Sequence, residues 1–307
     1  AGLAIIQEDT NAHTTAYDQQ KATLAIRPTA ATWKKVSATD SASTKHYMTW
    51  TSYTEYATLV QSATNSLNFT VTETVPARVS GDLKALDGGS LGSASDDETG
   101  GQLIWRAFWT KDSAKASDLG TFEIVDGKDL SYNNQSSNPN TTGALVSEAF
   151  ASANNLKVGD TLEVAAASDA QTTAKLKVRG IYKYTSAVAN PVTAARNREN
   201  AIFTNYQTFA KAGLDPQSND KTASGWAMPD LDVVFDAGDS ATYKSLVSTL
   251  KKSKLPAKGY EFSSPSLESY NASLEPLDTL SSRAKTGTIA LVAVGGVLLL
   301  ILVLSGV

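Results

Sequence analysis

The chain has 307 residues, enough for roughly two domains at about 150 residues each once its apolar tail is set aside. Hydrophobic residues make up 41% and charged residues 19%, which excludes disorder throughout and leaves Ser, Thr, Asn and Ala to fill much of the surface. A net charge of −4 without a basic patch excludes nucleic acid as a partner. The absence of cysteine removes disulfides, thiolate nucleophiles, iron–sulfur clusters and cysteine zinc sites together.

Ala1–Ile6 is a short apolar start, read equally well as a first strand or as the outer end of a preceding membrane helix. In the second case residues 7–285 hang between two membrane helices. Leu24 and Ile26 alternate with Ala25 and Arg27, so residues 23–27 are expected as a strand that Pro28 stops. Ser52-x-x-Glu55 reads as a capping box, and Tyr56, Leu59, Val60 and Ala63 fall on one helical stripe. Phe69, Val71 and Val75 follow at strand spacing.

A second strand–helix–strand unit lies near the other end. Leu231, Val233 and Phe235 alternate, and Asp239 or Ser240 caps a helix whose apolar face is Tyr243, Leu246, Val247 and Leu250. Lys251, Lys252 and Lys254 crowd its C-terminus, where the helix dipole favours cations, and Tyr260–Phe262 opens the next strand.

The stretch between reads as a β-rich insert. Soft loops are expected at 81–101 and 133–142, a strand at Phe122–Ile124 ending in Asp126-Gly127, and a short helix over Ser147–Asn154. Leu156–Asp160 is a turn feeding a strand, and Ala174, Leu176 and Val178 alternate with Lys175, Lys177 and Arg179.

The fold class expected is therefore α+β. A porter-like α/β subdomain of two strand–helix–strand units occupies 7–80 and 224–264, with a β-rich subdomain inserted over 81–223. Leu267, Tyr270, Leu274, Leu277 and Leu280 continue as a helical seam, so 265–285 is a connecting helix, kinked or restarted at Pro276. Thr286–Val307 holds 22 residues without a charge, long enough at 1.5 Å per residue to span roughly 33 Å, and is read as a transmembrane helix.

Three stretches carry a family resemblance. Gly143–Ala151 contains Leu145-Val146-Ser147-Glu148-Ala149-Phe150, Leu156–Leu162 contains Val158-Gly159-Asp160-Thr161, and Leu176–Tyr182 contains Val178-Arg179-Gly180-Ile181-Tyr182. With Val125–Lys128 before them and Glu199–Phe203 after, this order resembles the extracytoplasmic core domain of MacB-like, FtsX-type ABC transporter permeases. The resemblance is specific over about 120–205 and extends over 23–285. It makes Ser147, Gly159, Asp160 and Gly180 family motif residues of structural kind.

The resemblance implies a non-catalytic domain outside the cell membrane, working as a dimer with a second permease copy and with membrane lipid around its helices. ATP would be hydrolysed by a separate cytoplasmic subunit or domain. Work done there would export a peptide, lipoprotein or drug, or move an external partner. Leu274 and Leu277 are the expected lever residues. No cofactor and no metal are expected.

Other patterns are weaker. Gly88-Gly89-Ser90-Leu91-Gly92 fits a nucleophile elbow in letters, but has no buried strand before it and no histidine after it. His13 and His46 have no ligands at metal spacing, and Asp96-Asp97-Glu98 lacks the calcium-loop spacing. Neither a phosphate-binding loop nor a dinucleotide fingerprint is present, so this chain should not itself hydrolyse ATP. Trp105 and Trp109 lie four apart around Arg106, near Phe108; ordinary core packing is the first reading, and as exposed platforms they are candidates for a partner-facing pair that stacks on sugars or contacts a peptide. On that reading the protein is a membrane-anchored module binding glycan or peptide.

Overall fold

The computed structural model describes residues 19–33, 48–86, 102–132, 143–186, 197–214, 225–253 and 259–271, apart from 118, 168, 227, 228 and 269. It is a mixed α+β structure with one ten-stranded sheet and short helices.

The first strand, β1 (Lys21–Pro28), leads through a single helical turn at Ala30–Trp33 to helix α1 (Trp50–Thr64) and strand β2 (Phe69–Val79). Near the other end β9 (Asp230–Asp239), α5 (Ser240–Lys252) and β10 (Tyr260–Ser263) repeat the unit. The strands lie in the order β10-β1-β9-β2, every neighbour antiparallel. This is the split β-α-β arrangement, in which each helix crosses over a strand of the other unit.

Both helices cover one face of these four strands. Tyr53, Tyr56 and Val60 of α1 and Leu246 and Leu250 of α5 meet Leu24, Ile26, Val71, Val233 and Phe235 in one core. Each such side chain, fully buried, contributes about 1.5–3 kcal/mol relative to exposure. The Tyr53 hydroxyl lies 3.0 Å from the Ile26 carbonyl and 2.8 Å from that of Leu231, pinning α1 across β1 and β9. Burial first, then the Asp232 and Asp230 carboxylates, hold that phenol protonated well above its usual range.

Helix α1 starts earlier than the capping box suggests. Thr49 is the cap, accepting the Ser52 N–H at 3.2 Å, and Ser52 lies inside the first turn. The stripe begins at Tyr53, and Ala63 is exposed. At α5 the cap is Asp239, which accepts the Thr242 N–H at 2.7 Å, while Ser240 is buried.

Between β2 and β9 run β3 (Leu103–Phe108), helix α2 (Lys111–Lys115), β4 (Phe122–Gly127), β5 (Ala144–Ser147), helix α3 (Glu148–Ala153), β6 (Thr161–Ala166), β7 (Thr173–Tyr184), β8 (Ala201–Asn205) and helix α4 (Tyr206–Lys211). The order β2-β3-β8-β5-β7-β6 closes, because β6 pairs with both β7 and β2. A closed ladder has no edge to protect. All six strands send alternate residues to one cluster, where Trp105 meets small neighbours such as Ala77, Ala107, Ala144 and Ala166. Mixing large and small side chains is how a narrow barrel fills its taper. A third cluster, with Phe108, Phe122, Tyr182 and Phe203, packs outside this ring under α2 and β4.

Among the described residues no helix is long and apolar enough to cross a membrane. The apolar run 286–307 and most of the connecting segment 272–285 lie outside the described residues.

Candidate functional site

The motif residues converge on one strand. Gly159 donates its N–H to the Val178 carbonyl of β7 at 2.8 Å, and Val178 donates back to the Asp160 carbonyl at 2.8 Å. The Asp160 N–H reaches the Lys157 carbonyl at 3.1 Å and its carboxylate accepts the Lys157 N–H at 2.8 Å. Gly159 stands at φ +98°, as the third residue of a type II turn requires. Two residues along β7, Gly180 has no room for a side chain, since a Cβ there would lie 2.6 Å from the Lys128 carbonyl oxygen. Two further on, Tyr182 is in register with Ser147 of β5. Ser147 is fully buried; its hydroxyl accepts the Phe150 N–H at 3.0 Å, capping α3, and donates to the Glu199 carbonyl at 2.7 Å. The four residues thus fasten a turn, a helix and a neighbouring strand to β7.

The two tryptophans do not form a platform. Trp105 is completely buried in the barrel, with Trp226 and Phe209 edge-on at 5.3 and 5.2 Å and its Nε1–H donated to Thr204 Oγ1 at 3.0 Å. A strand places 105 and 109 four residues apart along the chain, not side by side as a helix would. Trp109 is half-buried. It stacks on Trp50 at 5.4 Å, meets Tyr206 at 4.6 Å and donates its Nε1–H to Glu73. Both rings are therefore engaged within the fold, and for Trp105 the core reading holds over the partner-facing one.

Two buried ionic side chains escaped the sequence reading. Glu73 is fully buried on β2 and accepts from Trp109. Arg106 on β3 is 8% exposed and donates to Thr74 Oγ1 at 3.0 Å and Ser117 Oγ at 3.2 Å. A signal existed for Glu73: it shares the inward parity of Val71 and Val75, where an apolar residue belongs.

The two chain exits lie side by side. Thr23 donates its N–H to Ser266 Oγ at 2.9 Å and to Ser264 Oγ at 3.2 Å, and Ser266 Oγ donates to the Lys21 carbonyl at 3.1 Å. A helix starts at Pro265, a favourable first helical position, with the Glu268 N–H on the Ser264 carbonyl at 2.9 Å. Leu267 is buried against the first core. Leu274 and Leu277 lie outside the described residues.

Among the described residues no group of three or more His, Asp or Glu could hold a metal ion. His13, His46, Ser90 and Asp96–Glu98 lie outside the described residues. Tyr182 and Tyr184 are raised above the usual phenol range, chiefly by burial, and their hydroxyls are donated to the Ala201 and Arg198 carbonyls. They are packing groups with satisfied ends.

No protein-family model matches the chain. Over 183 residues the chain is 26% identical to YclI, an uncharacterized ABC transporter permease of Bacillus subtilis (strain 168). That stretch is 59% of this chain and 35% of the relative, so the chain spans about a third of the protein it matches.

Proposed function

We propose that this chain is the extracytoplasmic domain of an ABC transporter permease of the MacB-like, FtsX-type class. The observation that carries the reading is the pairing of its two exits. Lys21 and Thr23 are hydrogen-bonded to Ser264 and Ser266, so the segment before β1 and the helix after β10 leave the sheet at the same corner. A domain strung between two membrane helices needs that geometry. The similarity to a permease and the motif block around β7 support it, as does the uncharged run over 286–307.

On this reading the domain is not an enzyme. The split β-α-β unit is the porter-like part beside the membrane, and the closed barrel is the inserted part. A cytoplasmic ATP-binding subunit or domain supplies the work, and a second permease copy completes the transporter. Residues 265–285 carry motion between domain and bilayer, with Leu274 and Leu277 as the lever. The barrel, further along the sheet from the exits, meets the exported substrate or an external partner. The glycan-binding alternative keeps the polar loops as motivation but loses the tryptophan pair, because Trp105 is completely buried.

Sidedness is tested first. Ser62→Cys on the exposed side of α1 gives a reporter, read against the unsubstituted protein. In intact cells a membrane-impermeant maleimide should label it fully. Labelling only after lysis would overturn the reading. Coupling is tested with the purified permease and its ATPase. Making Leu274 and Leu277 polar should uncouple hydrolysis from transport, and unchanged transport would remove the lever.

A further inference from the structure

The two main cores meet on a single strand. Val71 of β2 lies in the core under α1 and α5, and Val75 lies in the barrel core. Between them sits the buried Glu73. On one side β2 is paired by β9 as far as Thr74 and by β6 from Ala77 onward. Val75 and Pro76 fall in the gap between those two partners. Proline has no N–H to give, so a strand interior tolerates it only where no ladder bond is asked of it. The break is on that side only: on the other, β3 pairs β2 without interruption from Thr72 to Ala77, so the two halves stay joined through β3 and can turn only about that ladder.

One side chain joins the two cores a few residues before that gap, beside Val71 and Glu73. Trp109 follows β3, a barrel strand, yet its ring packs with the first core. One face stacks on Trp50, the first residue of α1, with planes 23° apart. Tyr206, the first residue of α4, lies against it from the barrel side, and the Nε1–H is fixed on Glu73 in the seam itself. The backbone adds a tether, from the Trp109 N–H to the Val71 carbonyl at 3.2 Å. We propose that Val75–Pro76 is an articulation between the split β-α-β unit and the barrel, and that Trp109 is the latch holding one orientation. With Glu73 accepting and both Trp50 and Tyr206 against the ring, the indole is fitted to one setting of the two halves. Withdrawing it frees the turn about β2. This latch stands whether or not the chain serves a transporter.

The experiment is a distance measurement on the full chain in detergent. Ser62→Cys on α1 and Lys183→Cys on β7 are both exposed, lie on opposite sides of the seam and take spin labels without competing thiols. The expected result is one narrow distance distribution in the parent and a broadened or split one with Trp109→Ala. Trp109→Phe, which keeps a ring but loses the N–H, should fall between. If Trp109→Ala does not fold, Trp50→Ala removes the stack from the partly exposed side and should broaden the distribution likewise. A narrow, unshifted distribution in the folded variant overturns the latch. So does equal broadening in Leu250→Ala, a core truncation in α5 away from the seam, because that would be general loosening.

Discussion

Thr23 and Ser266 exchange hydrogen bonds across a sequence separation of 243 residues: Thr23 Oγ1 lies 3.1 Å from Ser266 Oγ, and the Ser266 N–H reaches Thr23 Oγ1 at 3.2 Å. Local periodicity does not call for this contact. It makes β1 and the helix starting at Pro265 a single mechanical piece. A pull on one exit is shared by the other, which is what a domain moved by its own membrane connections would need.

Ser266→Ala removes the acceptor of the Thr23 N–H and the donor to Lys21 together. Ser264 Oγ, at 3.2 Å, remains for the Thr23 N–H. The single variant should therefore lose about 1 kcal/mol and a few degrees of Tm, roughly the span expected for one net hydrogen bond in a domain of this size. Ser264→Ala with Ser266→Ala should lose more than the two singles added, since only then does the Thr23 N–H lack both hydroxyl acceptors. Strict additivity in thermal unfolding would show that the serines do not share that donor.

Trp105 offers the opposite test from a binding residue. Its Nε1–H is donated to Thr204, whose own side chain is fully buried. Trp105→Phe leaves that hydroxyl without its donor and a small cavity, and should cost about 1–3 kcal/mol. Trp105→Ala should cost about 3–5 kcal/mol. Urea unfolding measures both. A stable Trp105→Ala chain that had instead lost affinity for cell-wall fragments would return Trp105 to the partner-facing role.

The readable parts of the fold are those with one face in water. Along β9 and α5 the alternation and the 3.6-residue stripe mark what is buried, and Asp239 stands where a cap belongs. Strand β3 carries no such mark: all six residues from Leu103 to Phe108 are buried, so nothing alternates. β7 alternates up to Val178, then shifts register against β5, so that Ile181 joins the barrel core and Tyr182 the outer one. The Ser52-x-x-Glu55 box points to a start three residues later than the Thr49 cap, because Ser and Thr hydroxyls alike can accept a first-turn N–H. The choice of Thr49 follows from Tyr53, which must reach the Ile26 and Leu231 carbonyls. The motif residues could be picked out in the sequence, but not their common attachment to β7, which depends on pairings made across distant strands. Trp50 and Trp109 are likewise remote in sequence, and only the fold puts them in contact.

Gly180 and Gly159 belong to the same motif and should fail for different reasons. At Gly180 a Cβ would press on the Lys128 carbonyl at 2.6 Å and on Leu145 Cδ2 at 3.0 Å, so Gly180→Ala must displace backbone. Overpacking of that kind costs about 1–3 kcal/mol. At Gly159 nothing lies within 4 Å of the added atom, and the penalty is the φ of +98° alone. Gly159→Ala should cost about 1–2 kcal/mol. The distinction is read in the spectra rather than the size. Chemical shifts of Leu145 and Lys128 should move in Gly180→Ala, and only the 157–160 turn should move in Gly159→Ala. Matching shift maps would mean that one mechanism serves both sites.

Asp239 carries the clearest pH signature. Its carboxylate is held below the ordinary range first by the Thr242 backbone N–H, at 2.7 Å, and then by the Thr242 hydroxyl. It also sits at the positive end of the α5 dipole. A depressed folded pKa means that the unfolded chain takes up the proton first. The cap's contribution is therefore fully present above the unfolded carboxylate pKa and is lost as pH falls through the lower, folded value. Asp239→Asn keeps an oxygen acceptor for the Thr242 N–H and abolishes the charge. At neutral pH the parent should melt above the variant, and the gap should close on acidification below the ordinary carboxylate range. Added salt at neutral pH should narrow the same gap, because the side chain is exposed and its field is screened. Tm measured against pH for both proteins decides it: a gap that stays constant into acid would show that only the neutral hydrogen bond, and not the ionised carboxylate, caps α5.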